Sequence, residues 1–192
     1  MISLRLAQPQ DSAALLDIYR PYVLETSVTF ETEPPTEEEF RGRILEFTKK
    51  FPYILAEEDG TVLGYAYAHA FHERAAYGWT VETSVYVHRD LRRSHVGKKL
   101  YTALLALLRL QGVRNVCAVV AFPNDASMAF HKAMGFEVGG LLPDFGYKQG
   151  AWHTVAYLYQ ALGSGDPAPL QPIGALDPQQ VAEILQKAGT IS

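Results

Sequence analysis

The chain has 192 residues, of which 48% are hydrophobic and 20% charged, and its formal net charge at pH 7 is −4. These values are typical of one globular domain with a sizeable core, and the acidic balance argues against a general nucleic-acid-binding protein. No apolar run reaches the ~18 residues that a membrane-spanning helix needs. The single cysteine, Cys117, excludes an intrachain disulfide and indicates a cytoplasmic protein; its apolar surroundings predict a buried, unreactive thiol.

The first part of the chain predicts a strand and two helices. Residues 2–6 alternate between apolar and polar side chains, as a short strand does. Asp11 begins the first helix, and Pro21 bends or ends it because proline removes a backbone hydrogen bond. Thr36 and Glu39 have the spacing of a capping box, which predicts the start of the second helix.

The middle of the chain predicts a hairpin, a central strand and a long helix. The hairpin strands are residues 53–57 and 61–69, with an Asp-Gly turn between them. Residues 79–87 form the central strand, which carries a carboxylate near its start. A short basic loop leads into an amphipathic helix that ends at Gly112. Residues 115–121, which are apolar except for Asn115, predict a strand that is covered on both faces.

The last part of the domain predicts a helix and a closing pair of strands. The helix begins at Asn124 or Asp125 and ends at Met134, and the strands are residues 136–142 and 152–159. This order of elements predicts a mixed α/β or α+β sheet with helices on its faces. A doubly wound dinucleotide fold is excluded, because three strands follow one another before the first crossover helix.

A change of composition marks the C-terminal end of the domain. Residues 163–174 are rich in proline and glycine, which is typical of a linker. We therefore expect a domain at residues 1–162 and a linker with a short helix at residues 163–192. Asp177 and the proline after it predict the start of that helix, which packs on either the domain or a partner.

The basic loop after the central strand is a candidate phosphate-binding site. A helix N-terminus carries unsatisfied backbone N–H groups and a partial positive charge. Four cationic side chains also lie there: Arg92, Arg93, Lys98 and Lys99. A solvated basic helix start is the alternative. The loop is not a P-loop, because Lys99 stands where that motif needs serine or threonine, and it has too few glycines for a dinucleotide fingerprint.

Two segments resemble the cofactor-binding motifs of the GCN5-related N-acetyltransferases (GNAT). The loop Arg92-Arg93-Ser94-His95-Val96-Gly97 resembles their pyrophosphate loop, Q/R-x-x-G-x-G/A. Residues 124–127 and 130–136 resemble their second cofactor segment, and the spacing between the two motifs also fits. Together with the order of strands, these matches indicate the GNAT fold over residues 2–162.

Three further segments are similar to the phosphinothricin acetyltransferases of that superfamily: residues 25–34, 74–82 and 146–153. The resemblance implies acetyl transfer from acetyl-CoA to the primary amine of a small amino-acid-like acceptor of the phosphinothricin, methionine sulfoximine or methionine sulfone type. It also implies a mostly antiparallel central sheet with helices on both faces and a splayed central strand pair.

The resemblance assigns one set of residues to acetyl-CoA. The pantetheine chain is expected along the backbone of the central strand, and the pyrophosphate on the basic loop. The residues concerned are Val85, Tyr86, Val87, Arg92, Arg93, Ser94, His95, Val96, Gly97, Lys98, Asn124 and Ser127. His95 replaces the middle glycine of the motif, so a positive φ at this position would cost about 1 kcal/mol.

Glu82 and His131 are the expected catalytic residues. Glu82 is the candidate base, acting through a water molecule, because a carboxylate on an apolar strand is costly to bury without a function or a partner. A structural ion pair with Arg74 or another cation is the alternative. His131 stands where many acetyltransferases carry the tyrosine that protonates the leaving thiolate; a packed helical histidine is its alternative role. Backbone N–H groups near Val85 are the expected donors to the acetyl oxygen.

The resemblance also implies an acceptor site. Its residues are Phe30, His72, Arg74, Tyr77 and Val119. Arg74 is the expected partner of an anionic group, because guanidinium holds carboxylates and phosphinates through two hydrogen bonds. The best-known relatives carry lysine at His72 and often aspartate at Thr154, so these two differences bear on which acceptor is used.

The expected partners are the small acceptor molecule and a second copy of the chain, since members of this family usually form dimers. We expect no nucleic acid, membrane or metal partner, because the histidine pairs of the sequence have no third ligand. Two other interpretations stay open at this point. One is a GNAT enzyme that acetylates a protein N-terminus or a polyamine, and the other is a non-catalytic acyl-CoA-binding module.

Overall fold

The computed structural model describes residues 1–91 and 95–191, which form one mixed sheet with helices on both faces. The strands are β1 (Ser3–Leu6), β2 (Tyr53–Glu58), β3 (Thr61–Ala70), β4 (Thr80–Val87), β5 (Asn115–Phe122), β6 (Glu137–Lys148) and β7 (Ala151–Ala161). The helices are α1 (Ser12–Glu25), α2 (Glu37–Thr48), α3 (Val96–Gln111), α4 (Asp125–Ala133) and α5 (Pro178–Gly189).

The strand order in the sheet is β1-β2-β3-β4-β5-β7-β6. All neighbouring strands are antiparallel except β4 and β5, which are parallel. The β4–β5 pairing ends at Glu82 and Cys117, although β4 continues to Val87 and β5 to Phe122. A gap therefore opens in the middle of the sheet, which confirms the predicted fold with its splayed central pair.

The two faces of the sheet bury separate hydrophobic clusters. Helices α1 and α2 cover one face, which is rich in aromatic side chains such as Tyr53 and Tyr65. Helices α3 and α5 cover the other, where Leu100 and Leu104 pack on alternate residues of the central strands. Because successive strand residues point to opposite faces, each functional side chain on β4 belongs to one of these two environments.

Local signals in the sequence account for several helix ends. Thr36 Oγ1 accepts a hydrogen bond from Glu39 N at 3.2 Å, and the Glu39 carboxylate accepts one from Thr36 N, which confirms the capping box. Pro21 does not end α1, which continues to Glu25. Two features stabilise the helical turn beyond Pro21. Val23 is fully buried, and the Tyr22 hydroxyl donates to Val87 O at 2.7 Å.

The segment after residue 162 packs on the domain. Helix α5 lies against α3 and β1, and buries Val181 and Leu185 in the α3-side cluster. Lys99 Nζ donates to the carbonyl oxygens of Gly189 and Ile191, so this lysine caps the C-terminal end of α5. Of the two packing alternatives for the terminal helix, the structure shows the contact with the domain, while the boundary at residue 162 stays a prediction.

No helix within the described ranges is long and apolar enough to cross a membrane. Within the same ranges, no three side chains of histidine, cysteine, aspartate or glutamate are grouped so that they could hold a metal ion. The cytoplasmic location stays a prediction.

Candidate active site

The gap between β4 and β5 exposes backbone hydrogen-bonding groups. His88 N donates to Leu63 O of β3 at 2.8 Å, which fixes the alternation of hydrogen bonds along β4. Counting back from His88, the N–H and C=O groups of Tyr86 face β3, whereas those of Val85 and Val87 face the gap. The β4 edge thus offers Val85 N–H to a molecule lying in the gap, and Tyr86 contributes no backbone group there.

Glu82 is the last β4 residue that pairs with β5, and it lies directly opposite His69 of β3. Its side chain is 27% exposed, and its Oε1 lies 3.9 Å from His69 Nε2. Arg74 does not pair with Glu82, nor with any other carboxylate of the described chain. Within the described residues the ion pair of Glu82 with Arg74 is therefore absent, and for the other part of that alternative, a pair with another cation, His69 is the neighbouring candidate.

Cys117, the β5 partner of Glu82, is buried as predicted. Burial, followed by the nearby Glu82 carboxylate, raises the pKa of its thiol to about 11. The thiol therefore keeps its proton at neutral pH, which makes it a poor nucleophile.

A buried hydrogen-bonded chain runs from the end of the β4–β5 pairing to α4. Thr83 Oγ1 lies 3.1 Å from Cys117 O and 2.6 Å from the hydroxyl of Tyr101 on α3. The Tyr101 hydroxyl lies 3.3 Å from His131 Nε2. His131 Nδ1 lies 2.9 Å from the carbonyl oxygen of Ser127, which only accepts, so the hydrogen-bond network assigns a proton to Nδ1.

His131 is held in a neutral, apolar setting. Its side chain packs edge-on against Phe130 and Phe136, and the residue is only 5% exposed. Burial lowers the pKa of His131, and this effect is larger than the opposing effect of its hydrogen bond to Ser127 O. The neutral imidazole is therefore the resting form, and its cation is a stronger acid than that of a solvated histidine.

The N-terminus of α3 retains part of the predicted phosphate site. His95 is the N-cap residue with φ 60°, so the position where the motif has glycine does adopt the left-handed conformation. Its side chain makes no capping hydrogen bond, and among the described residues no side chain accepts from the first-turn N–H groups of Val96 and Gly97. Lys98 is exposed beside them. The remaining loop residues assigned to acetyl-CoA, Arg92, Arg93 and Ser94, lie outside the described residues.

Asn124 and Ser127 lie at the start of α4. Asn124 Oδ1 accepts a hydrogen bond from Ser127 N at 3.1 Å, so Asn124 acts as an N-cap. Ser127 Oγ lies 3.3 Å from His131 Nδ1. Both side chains therefore have structural partners, and their contact with acetyl-CoA stays a prediction.

Two of the expected acceptor-site residues lie near the Glu82 side of the sheet. Val119 is two residues beyond Cys117 on β5 and points to the same face as Glu82. Phe30 lies in the loop between α1 and α2, where its ring packs on Gly146 and lies 6.0 Å from the ring of His153. The loop is fixed by Lys148 Nζ, which donates to the backbone carbonyl before Phe30 at 2.7 Å.

The other three share the loop that joins β3 to β4. His72 and Tyr77 form an exposed aromatic cluster with Phe71, with ring centroids 5.0 Å apart for His72 and Tyr77. Arg74 is exposed and begins the short 3-10 turn of this loop. The loop lies at the end of the hairpin that carries Glu82, but no direct contact joins Arg74 to that carboxylate.

Three residues of the site were not predicted from the sequence: His69, Thr83 and Tyr101. The β2–β3–β4 meander was predicted, and its register would have placed His69 opposite Glu82. Thr83 and Tyr101 carry no comparable signal, because their contact depends on how α3 packs across the sheet.

The chain matches the family described as Acetyltransferase (GNAT) domain over residues 4–155. It is 38% identical to a phosphinothricin N-acetyltransferase of Streptomyces viridochromogenes, over 90% of this chain and 93% of the relative. It is 29% identical to an L-methionine sulfoximine/L-methionine sulfone acetyltransferase of Salmonella typhimurium, over 82% of this chain and 92% of the relative.

A solved structure is similar over most of the chain. The GNAT superfamily phosphinothricin acetyltransferase of Sinorhizobium meliloti, in complex with AcCoA, superposes with a TM-score of 0.84 and 37% sequence identity. The match covers 87% of this chain and 93% of that one. Sequence and fold therefore agree on one family.

Proposed function

The chain belongs to the GNAT acetyltransferase family, and from that premise we propose that it acetylates the primary amine of a small, anionic, amino-acid-like acceptor, with Glu82 as the base. The main observation that supports the proposal is that the pairing of β4 with β5 ends directly after Glu82. It brings a half-buried carboxylate without a strong cationic partner to the edge of an open gap.

Acetyl-CoA supplies the acetyl group as a thioester. The residues present fit this molecule at two places. Val87 N–H faces the gap, where an amide oxygen of the pantetheine chain would accept from it, and the α3 N-terminus at Val96, Gly97 and Lys98 would attract the pyrophosphate. The N–H of Val85 also stabilises negative charge that develops on the acetyl oxygen.

Proton movements involve the two faces of the sheet. Glu82 accepts a proton from the acceptor ammonium group through a water molecule, which leaves the amine free to attack. His131, reached from the opposite face, donates a proton toward the leaving thiolate. The lowered pKa leaves this ring neutral at rest, so His131 must take up a proton before it can donate one, and Tyr101 fixes the orientation of the ring.

Arg74 binds the anionic group of the acceptor. Its guanidinium has no ion pair with a described carboxylate and lies exposed in the β3–β4 loop, so it is available to a ligand. Relatives of this chain are named for phosphinothricin and for methionine sulfoximine or sulfone, which are amino-acid-like molecules. Phe30 and Val119 supply apolar walls for such a molecule.

The exposed apolar residues of the β6–β7 hairpin support a homodimer. Phe145 and Tyr147 are each 59% exposed and Trp152 is 62% exposed, which is unusual for three large side chains of one hairpin. A second copy of the chain is the proposed cover. Sedimentation velocity tests it: a dimer at micromolar concentration is expected, and a monomer that persists with acetyl-CoA bound would contradict it.

Turnover with a panel of acceptors tests the proposed function. The release of free CoA thiol is followed with phosphinothricin, methionine sulfoximine, methionine sulfone, free amino acids, spermidine and a peptide with a free N-terminus. We expect turnover with the first three, loss of kcat in Glu82→Gln and unchanged kcat in the surface control Glu46→Gln. Turnover with spermidine or the peptide alone would show that the proposed acceptor class is wrong. Binding of acetyl-CoA without turnover of any acceptor would favour a non-catalytic binding module.

A further inference from the structure

One ring nitrogen of His69, Nε2, faces the carboxylate of Glu82. The two residues are cross-strand partners on β3 and β4, with His69 Nε2 3.9 Å from Glu82 Oε1. His69 Nδ1 lies 3.0 Å from Ala70 O, and because a carbonyl oxygen only accepts, this bond places the proton on Nδ1. Nε2 of the neutral ring then carries a lone pair toward the carboxylate.

We infer that His69 is the proton acceptor for Glu82, removing the proton that Glu82 takes from the acceptor amine and releasing it to solvent. This inference rests on the proposed role of Glu82 as base. His69 acts through Glu82 and does not touch the acetyl group, so it is a positioning and relay residue. The separation of 3.9 Å is longer than a hydrogen bond and is closed by one water molecule or a small side-chain rotation.

The relay balances in protons and charge. The ammonium group of the acceptor loses one proton to the Glu82 carboxylate, which becomes a neutral carboxylic acid. That acid gives the proton to His69 Nε2, so the carboxylate returns and the ring becomes an imidazolium. The imidazolium gives one proton to bulk water and returns to its neutral form. His69 can complete this last step because its side chain is 28% exposed.

The other titratable groups around this pair do not substitute for His69. Burial raises the pKa of Tyr67 on β3, Cys117 on β5 and Tyr157 on β7, and the charge of Glu82 adds to each shift. These three groups therefore hold their protons at neutral pH and cannot accept another. From α2, Arg43 faces Tyr67, but its guanidinium binds Glu31 at 2.5 Å.

Packing is the competing explanation for His69. Its ring stacks on Phe47 of α2 with centroids 5.3 Å apart and planes at 24°, and it also lies near the ring of Tyr67. A purely structural ring would be replaced without loss by another flat aromatic ring. His69→Phe keeps the stack on Phe47 and removes both nitrogen atoms, whereas His69→Ala removes the stack and leaves a space for an added base.

The experiment measures kcat for thiol release in wild type, His69→Ala, His69→Phe and Glu82→Gln, each with and without added imidazole. We expect kcat to fall about tenfold in both His69 variants, with the KM for acetyl-CoA unchanged. Imidazole is expected to restore most of kcat in His69→Ala, where it fits the vacated space, and to have no effect in His69→Phe or Glu82→Gln.

The outcomes separate the relay from the proposed function. Wild-type kcat in His69→Phe, or no response of His69→Ala to imidazole, would overturn the relay even if Glu82→Gln is inactive. Wild-type kcat in Glu82→Gln would overturn the role of Glu82 itself. Thermal melting checks that each variant folds. If neither His69→Ala nor His69→Phe folds, His69→Gln is measured in their place. A wild-type kcat in His69→Gln would also overturn the relay.

Discussion

Glu82 and His131 lie on opposite faces of the sheet, near the gap between β4 and β5. Glu82 shares its face with α1 and α2, whereas its neighbour Thr83 points to the other face and reaches His131 through Tyr101. The proposed base and the proposed acid are therefore kept from neutralising each other. A thioester bound in the gap would lie between the two faces, which suits a reaction that removes one proton and supplies another.

Tyr101 is expected to stabilise the fold through its hydroxyl group. Tyr101→Phe removes a buried hydroxyl that lies between Thr83 Oγ1 and His131 Nε2, so His131 Nε2 loses its partner. The free energy of unfolding should fall by about 1–3 kcal/mol. Urea denaturation measures it, with the exposed Tyr147→Phe as a control that should change little. An equal free energy of unfolding for Tyr101→Phe and Tyr147→Phe would show that the contacts of the Tyr101 hydroxyl with Thr83 and His131 do not stabilise the fold.

The stability of the protein should depend on pH through His131. Its pKa in the folded chain is lowered from the ordinary value of 6.5, chiefly by burial. As the pH falls below that value, the unfolded chain binds a proton at this position before the folded chain does, so the free energy of unfolding decreases. The stabilising contribution of a neutral His131 is present above pH 6.5 and is lost on acidification.

Urea denaturation of wild type and His131→Phe at roughly pH 5, 6 and 7 measures this dependence. We expect a flatter dependence on pH in the variant, because phenylalanine has no proton to bind. If the free energy of unfolding changed with pH equally in the two proteins, the burial of His131 would not be the cause of that dependence.

Gly146 is expected to set the position of Phe30. A Cβ atom at residue 146 would overlap the Phe30 ring, so Gly146→Ala should displace that ring from the hairpin. We expect the KM for the acceptor to rise severalfold while the KM for acetyl-CoA stays the same. Gly140→Ala is the matched control on the same strand, since a Cβ there meets nothing within 4 Å. If the acceptor KM of Gly146→Ala were unchanged, Phe30 would not be part of the acceptor site.

Arg74 is expected to act on acceptor binding more than on the chemical step. Arg74→Ala removes an exposed guanidinium that has no carboxylate partner in the described chain, so the fold should keep its melting temperature. The KM for an anionic acceptor should rise on the order of tenfold or more, with little change in kcat. Arg41→Ala, on the exposed side of α2, serves as the control. A fall in kcat at constant KM would assign Arg74 a different role.

The sequence predicted the elements whose signals are local. The Thr36 capping box and the Asp-Gly hairpin turn depend on a few neighbouring residues, and both are present. The predicted end of β6 at residue 142 is wrong, because the strand continues to Lys148. Its register with β7 shifts between Leu142 and Gly146, and the proline and aspartate in that stretch have the composition of a loop.

Features that depend on tertiary packing were not accessible from the sequence. Residues 163–174 have linker composition, yet the Trp79 indole donates to Ala168 O at 2.6 Å, and Ile173 is buried in the core. Lys99 was assigned to a basic phosphate loop and instead caps α5. The pairing of Tyr101 with Thr83 likewise requires two elements to meet at a definite angle, which no spacing in the sequence encodes.

The most direct test of the account compares the pre-steady-state release of CoA thiol by wild type and Glu82→Gln, each saturated with acetyl-CoA and mixed with phosphinothricin. Glutamine keeps the size of the side chain and cannot accept the proton. We expect the rate of thiol release to fall about 100-fold or more, with the affinity for acetyl-CoA unchanged. Release at the wild-type rate by Glu82→Gln would contradict the central claim that this carboxylate is the base.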